Sequence, residues 1–391
     1  MKNKLHVVIS CFLFLLFACT TDSEPEDDPI PPVDDELPIV LPDGFFSEVI
    51  ASQLDGPTSI EFPPDGSNRL FVNELTTGHI WIFEDGERLE EPFFNLQDFY
   101  PDSFPFSGSR GLIGLEFHPD YQNNRWLYIT YALPGEEGES GYVARITDEN
   151  NRSADFTEIL SDLPSEQGHQ VQNVRFLPDG MLYLSVGDAY RPEMVQEVSA
   201  KHGKVLRFTE SGDIPADNPF GGDNYVYALG FRNAFDLAFG DNGELLMSDN
   251  GDVGMDTFRQ VEPGSNHGWP FAEGFHGNPD YSKPLYVWED AVVPTGLHRY
   301  LGNQFPSQYH GALLQVLFGV VSDGPDPIGK RIQIVEKEGS GVNASVSFSD
   351  FAVFEFDGKA NPIDIAEGPD GSLYVSDYFQ GKIFRIFYRG N

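Results

Sequence analysis

The chain has 391 residues, with 62 Asp and Glu against 24 Lys and Arg, for a formal net charge of −38 at neutral pH. That balance excludes nucleic acid and anionic membrane surfaces as electrostatic partners. Forty glycines, 29 prolines and 33 phenylalanines, with few helix-forming runs, read as an all-β, turn-rich protein.

Residues 1–18 are expected to be a lipoprotein-type signal peptide. Lys2 and Lys4 give a positive start, and Val7 to Phe17 is almost wholly apolar but too short to span a bilayer. Leu16-Phe17-Ala18-Cys19 resembles the box in which a bacterial lipoprotein's Cys becomes the lipidated N-terminus. On this reading Cys11 leaves with the signal and Cys19 is acylated, so the exported domain has no disulfide. Residues 19–42 mix acids with Pro and contain no Lys or Arg, the composition of an extended, solvated tether. The expected location is the exported side of a bacterial membrane, held only by the lipid on Cys19.

From residue 43 to 391 one unit recurs: an apolar strand, a Pro-Asp-Gly type turn and a second apolar strand. It appears at Ile60–Glu74, Leu115–Tyr131, Val174–Asp188, Leu237–Asp249 and Ile365–Asp377, with a degenerate copy at Gly302–Gly319. Six copies, each leaving room for two more strands, predict a six-bladed β-propeller of four-stranded antiparallel blades. His79–Gly86 and Lys382–Gly390 alternate apolar and polar residues as outer strands should. Phe45–Ala51 is expected to complete the last blade, closing the ring and removing a sheet edge.

The third copy carries the chemistry. His169 precedes one strand, Asp188 follows the next, and a Pro178-Asp179-Gly180 turn joins them. If the strands pair as a hairpin, both residues reach the same edge. A carboxylate beside an imidazole fixes its tautomer, the arrangement a general base needs. A surface His and a turn Asp would produce the same letters.

Over nearly the whole propeller the chain resembles the soluble quinoprotein sugar dehydrogenases, the glucose/sorbosone dehydrogenase family. The resemblance is carried by SRGLIGLEFHPDY (Ser109–Tyr121), His169–Asp188, GKVLRFTESGDIPADNPF (Gly203–Phe220) and YALGFRNAFDLAFGDNGELLMSDNGD (Tyr227–Asp252). VEPGSNHGWP (Val261–Pro270), PTGLHRYLGNQFP (Pro294–Pro306) and PIDIAEGPDGSLYVSD (Pro362–Asp377) extend it. It implies pyrroloquinoline quinone (PQQ) and calcium as cofactors and a small sugar as substrate. His169 falls on the base that takes the sugar's C1 hydroxyl proton while hydride passes to the quinone, and Asp188 on its supporting carboxylate. Arg232 and Asn233 match the cofactor-contacting pair, with Arg232 offsetting charge that develops on the quinone. The calcium carbonyls fall on Gly251 and Asp252. Asp249, Asp252 and Asp256 crowd that loop, which suits a cation or merely solvation. No haem-attachment CxxCH motif is present, so a separate electron acceptor is implied.

The departures are as informative. Ser109-Arg110 stands where the family has Gln or Glu, and Gln170-Val171-Gln172 is bulkier than the family's Asn-Gly-Gly and would narrow the pocket. Phe231 replaces a usual His. The Arg residues that clamp PQQ carboxylates near the C-terminus are missing from Lys359–Ile363, and Lys330 and Arg331 are the candidate substitutes. Two other functions therefore stand beside the dehydrogenase: a catalytically inactive sugar- or partner-binding propeller, and a calcium-dependent lactonase-type hydrolase. Substrate choice is assigned to the loops Asp98–Ser109, Pro134–Gly141 and Val320–Gly329. Tyr100, Phe104 and Phe106 in the first of these suit sugar stacking or cap packing equally.

Overall fold

The computed structural model describes residues 38–391, except 105, 107, 136–137, 253, 321–327, 357–358 and 391. The signal peptide, Cys19 and most of the tether lie outside the described residues, as does most of the Val320–Gly329 loop. No helix among the described residues is long and apolar enough to cross a membrane.

The described residues form six antiparallel sheets. Their innermost strands are Pro57–Glu61, Gly111–Phe117, Val171–Phe176, Ala234–Phe239, Pro294–Arg299 and Pro362–Glu367, for blades 1 to 6 in that order. Each of these strands touches the innermost strands of both neighbouring blades, in a closed ring. Phe45–Ala51 pairs with Lys382–Tyr388, so the first long strand of the chain is the outermost strand of the last blade. This is the closure expected from the sequence. Ile39–Val40, assigned to the tether, instead pairs with Val353 and Phe354 on the edge of blade 5. Ile39 is buried there, which removes an apolar residue from water and covers part of that edge. The degenerate copy at Gly302–Gly319 supplies only the second strand of blade 5, Leu313–Leu317; its first strand lies upstream at Pro294–Arg299.

The turns explain why the copies were visible. Gly66, Gly180, Gly243 and Gly371 all have φ near +75 to +78°. Nothing stands within 4 Å of a Cβ built on the first three, so the left-handed backbone alone selects glycine there. The preceding Asp closes the turn: Asp65, Asp179 and Asp370 each accept the N–H two residues on. Apolar alternation on the strands then fills the spaces between blades. Phe71, Ile80 and Ile82 of blade 1 pack with Leu112, Leu115, Leu127 and Ile129 of blade 2, and every one of them is buried. Each such side chain contributes about 1.5–3 kcal/mol on leaving water.

Every innermost strand breaks register once, at 57/60, 112/115, 171/174, 234/237, 294/297 and 362/364. A bulge bends a strand and re-aims its side chains. Thr58, Ile113, Asn173, Phe235, Thr295 and Ile363, one bulge residue from each blade, line a single axial cleft of about 260 Å³.

At or just past the bulges the same strands bring Glu61, Glu116, Arg175, Asp236 and Asp364 together. Arg175 is 3.0 Å from Asp236 and 3.4 Å from Glu116, and it donates to the Leu115 carbonyl at 3.0 Å. Asp364 accepts the Ser59 hydroxyl and the Ile60 N–H, each at 2.9 Å. Burial, opposed in part by Arg175, pushes the Glu116 carboxyl up to about 7. Burial and the neighbouring Glu116 raise Glu61 well above the usual range. One guanidinium thus ties four blades together at the axis.

Candidate active site

The Val171–Val186 pairing places His169 and Asp188 at one end of the blade 3 hairpin. The approach is close because residue 187 is glycine: a Cβ there would stand 2.7 Å from the His169 carbonyl carbon and 2.9 Å from Asn233 Oδ1. His169 Nδ1 lies 2.7 Å from Asp188 Oδ1, and both side chains are buried. Asp188 Oδ1 also accepts the Tyr190 N–H at 3.0 Å, and Oδ2 accepts the Trp269 indole N–H at 2.9 Å. Burial alone would raise the Asp188 carboxyl; the hydrogen bond and charge of His169, with the Tyr190 and Trp269 donors, outweigh it and hold the group below its ordinary value. Asp188 therefore stays an acceptor, which keeps the proton of a neutral imidazole on Nδ1 and leaves Nε2 as the basic nitrogen.

Two consecutive non-glycine residues, Ala189 and Tyr190, have φ of 49° and 55°. This local strain turns the Tyr190 ring onto the imidazole, 4.1 Å between centroids and 16° from parallel. Tyr190 and Trp269 are the residues that sequence reasoning missed. Trp269 lay inside a quoted motif, VEPGSNHGWP, but its role depends on meeting a carboxylate 81 positions away.

Arg232 and Asn233 are held by blade 4. Their backbone N–H groups both donate to Asp249 Oδ1, at 3.1 and 2.9 Å, and the Arg232 carbonyl accepts the Asp188 N–H at 2.7 Å. The GFRN turn and the His–Asp pair are thus one connected unit. Burial, opposed by Arg259 and the two backbone donors, pushes Asp249 up to about 6. The Arg232 guanidinium donates to the carbonyls of Gly251 (2.9 Å) and Asn250 (3.3 Å) and faces the Trp269 ring at 5.7 Å. The Gly251 carbonyl proposed for calcium is therefore occupied by the proposed quinone-binding cation. The crowded acids of the loop serve the backbone: Asp256 accepts the N–H groups of Gly251 and Val293 at 3.0 and 2.8 Å. Asp252 stands 3.7 Å from Arg232, with half of its side chain exposed.

The sequence grouped further residues with the site, and the structure sorts them. Gln170, Gln172 and Asn233 line the axial cleft, and the Gln172 amide donates to Asn233 at 3.2 Å. Val171 points instead into the core between blades 2 and 3, so only the two Gln narrow the cleft. Lys330 is fully buried, donating to the Ala360 carbonyl at 2.8 Å with Asn361 Oδ1 at 3.4 Å. Asn361 in turn holds the carbonyl of Phe318, a wall residue of the cleft, so Lys330 stands one layer behind that wall. Arg331, its neighbour along the strand, points the other way and pairs with Asp350 at 2.7 Å on the outer strand of blade 5. It is not brought to the His169–Arg232 group. Phe106 is buried in the blade 1–2 core, and the Tyr100 hydroxyl is 2.9 Å from that of Tyr131, which is cap packing.

The Gln170 side-chain oxygen and the Asn250 side-chain oxygen, both of residues lining the cleft, are buried without a hydrogen-bond partner among the described residues. Buried acceptors of this kind take a donor from water or from a polar ligand. The amides of Gln170, Gln172, Asn233 and Asn250 on the cleft wall fit the polar edge of a ligand held there, while Arg232 is not among the wall residues.

The sequence profile described as Glucose / Sorbosone dehydrogenase matches residues 54–385, nearly the whole ring. The chain belongs to that family. Among its relatives, quinoprotein glucose dehydrogenase B of Acinetobacter calcoaceticus is 32% identical over 275 residues, 62% of this chain and 56% of that protein. The aldose sugar dehydrogenase YliI of Escherichia coli is 25% identical over 368 residues, 87% and 92% of the two chains. The solved structure of a glucose dehydrogenase-type oxidoreductase from Thermus thermophilus aligns with a TM-score of 0.73 at 27% identity, covering 88% of this glucose/sorbosone dehydrogenase-family chain and all of the other.

Proposed function

We propose that this protein is a PQQ-dependent dehydrogenase that oxidises an aldose at its C1 hydroxyl, exported and anchored through a lipid on Cys19. The observation that carries the reading is the buried 2.7 Å contact between His169 and Asp188, joined through the Arg232 backbone to Asn233 on the wall of the axial cleft. The quinoprotein among its relatives supports PQQ as the cofactor. When bound, PQQ supplies the two-electron acceptor for the alcohol. Arg232, Asn233 and Gln170 would hold it, with Lys330 contributing positive charge from behind the wall.

The protein's own part is proton transfer and positioning. His169 Nε2 takes the C1 hydroxyl proton, and Asp188 stabilises the imidazolium that results. Such a base contributes about 10²–10⁴-fold in rate. Tyr190 covers one face of the imidazole and limits its access to water. Calcium is proposed at the Gly251 and Asp252 carbonyls, where it would take the place of the Arg232 guanidinium and free that group for the quinone. Electrons then leave to a separate acceptor.

A sugar-binding propeller without turnover is the second reading. It is favoured by Arg331, committed to Asp350, and by the Arg232–Gly251 contact, which together leave few cations for a tricarboxylate. The lactonase-type reading finds no group of three His, Cys, Asp or Glu fit for a metal among the described residues.

Titration of the purified protein with PQQ and calcium, followed by dye-linked oxidation of an aldose panel, separates these readings. Saturable binding and turnover that His169→Ala removes are expected. Folded protein that binds no PQQ with calcium present would refute the dehydrogenase.

A further inference from the structure

The GFRN turn hangs on the Asp249 carboxylate, whose two oxygens face opposite ways. Oδ1 accepts the Arg232 and Asn233 N–H groups. Oδ2 lies 3.6 Å from Nε of Arg259, which stands on the strand Thr257–Val261, paired with the strand that ends at Asp249. The Arg259 and Asp249 side chains are 3% and 4% exposed. The χ2 torsion of an Asp is soft, so oxygens with separate duties need a partner on each side. A guanidinium keeps its charge when buried and must be paired there, which makes Arg259 a fixed cation behind the turn.

Arg259 is itself held. Its Nε donates to Thr257 Oγ1 at 2.8 Å, two residues back on the same strand face, and that hydroxyl donates to the Asp249 carbonyl at 3.4 Å. Its Nη1 lies 3.4 Å from His267 Nδ1. Arginine only donates, so Nδ1 is bare and His267 carries its proton on Nε2, 3.0 Å from Ser265 Oγ. Burial and the Arg259 charge hold His267 well below the ordinary imidazole value, so it is neutral at pH 7. The buried His267 ring stacks on Phe231, next to Arg232 in the chain, with 4.5 Å between centroids and 27° between planes. The layer thus grips the turn twice, through Asp249 and through Phe231.

We propose that Arg259 is a positioning residue: a built-in cation, braced by His267, that orients Asp249 so that the Arg232-Asn233 backbone is set for the cofactor. The proposal rests on the PQQ reading for the ligand, but the geometry that Arg259 sets exists without it.

Arg259→Gln removes the charge and Arg259→Lys keeps it. With calcium present, Arg259→Gln is expected to raise the PQQ dissociation constant about tenfold, and Arg259→Lys to recover most of that loss. In cofactor-free protein, NMR hydrogen exchange at the Arg232 and Asn233 amides should speed about tenfold in Arg259→Gln, beyond any change in the blade 1 strand Arg69–Glu74, which reports global loosening. Arg259→Lys should again restore it. Unchanged exchange at the two amides, unchanged PQQ affinity, or a Lys variant no better than Gln would overturn the proposal. If Arg259→Gln does not fold, Thr257→Val removes the Nε acceptor while keeping the charge, and faster exchange at the same two amides is expected; no change there refutes the role. If the wild type binds no PQQ, the PQQ reading fails alone and amide exchange decides whether Arg259 sets the turn.

Discussion

Replacing Asp188 by Asn tests whether the His–Asp pair is built as described. The carboxylate receives three donors and offers none: His169 Nδ1–H and Tyr190 N–H on Oδ1, Trp269 Nε1–H on Oδ2. An asparagine has one acceptor oxygen. Turned toward His169, it leaves its NH₂ against the indole N–H. Turned toward Trp269, it faces Tyr190 N–H with a donor and forces His169 to present a bare Nδ1, which moves the imidazole proton to Nε2, the nitrogen proposed as the base. One buried donor loses its acceptor in either case, at about 1–3 kcal/mol. Urea denaturation at pH 7 should show that loss, and sugar oxidation should fall by about 10²–10⁴-fold. ¹⁵N imidazole shifts of His169 report the tautomer without any cofactor. The pH dependence has a definite sign. A carboxyl depressed in the folded state contributes stability above its ordinary pKa of about 3.9 and loses that contribution as pH falls through the depressed value, so the gap between wild type and variant should shrink below about pH 4. A variant as stable as wild type at pH 7, with its oxidation rate intact, would refute the account, and a gap that widens in acid would contradict the assigned shift.

Trp269→Phe keeps most of the ring and removes the Asp188 Oδ2 donor, a hydrogen bond to a charged group worth about 1.5–3 kcal/mol. The Asp188 carboxyl should then titrate higher by ¹³C NMR, and an unmoved titration would show that the indole does not set its charge. Arg175→Met removes the guanidinium that stands among Glu61, Glu116, Asp236 and Asp364, and about 3–5 kcal/mol is expected to be lost at pH 8. Because Glu116 is raised to about 7, folded protein holds more protons than unfolded between the ordinary carboxylate pKa and that value, so stability falls as pH rises through this window. The variant should fall more steeply than wild type between pH 5 and 8; a loss independent of pH would remove the carboxylates from the explanation.

The blade repeat was legible in the sequence because most copies are local devices, apolar hairpins with tight turns, three of them closed by an Asp side chain and a left-handed Gly. The His169–Asp188 pair was legible for the same reason, since one hairpin register carries one residue to the other. Closure of the ring by Phe45–Ala51 also followed from the need to cover a sheet edge. What the sequence could not supply were contacts made only when blades meet. Trp269 reaches Asp188 from another blade, Arg175 meets carboxylates from three other blades, and the six bulge residues share one cleft only around a common axis. Arg331 is the converse case: charge and position nominated it for the cofactor, but strand alternation turned it outward to Asp350, while Lys330 turned in. Residue type set which chemistry was possible; strand pleat and blade-to-blade packing decided which side chains could meet to perform it.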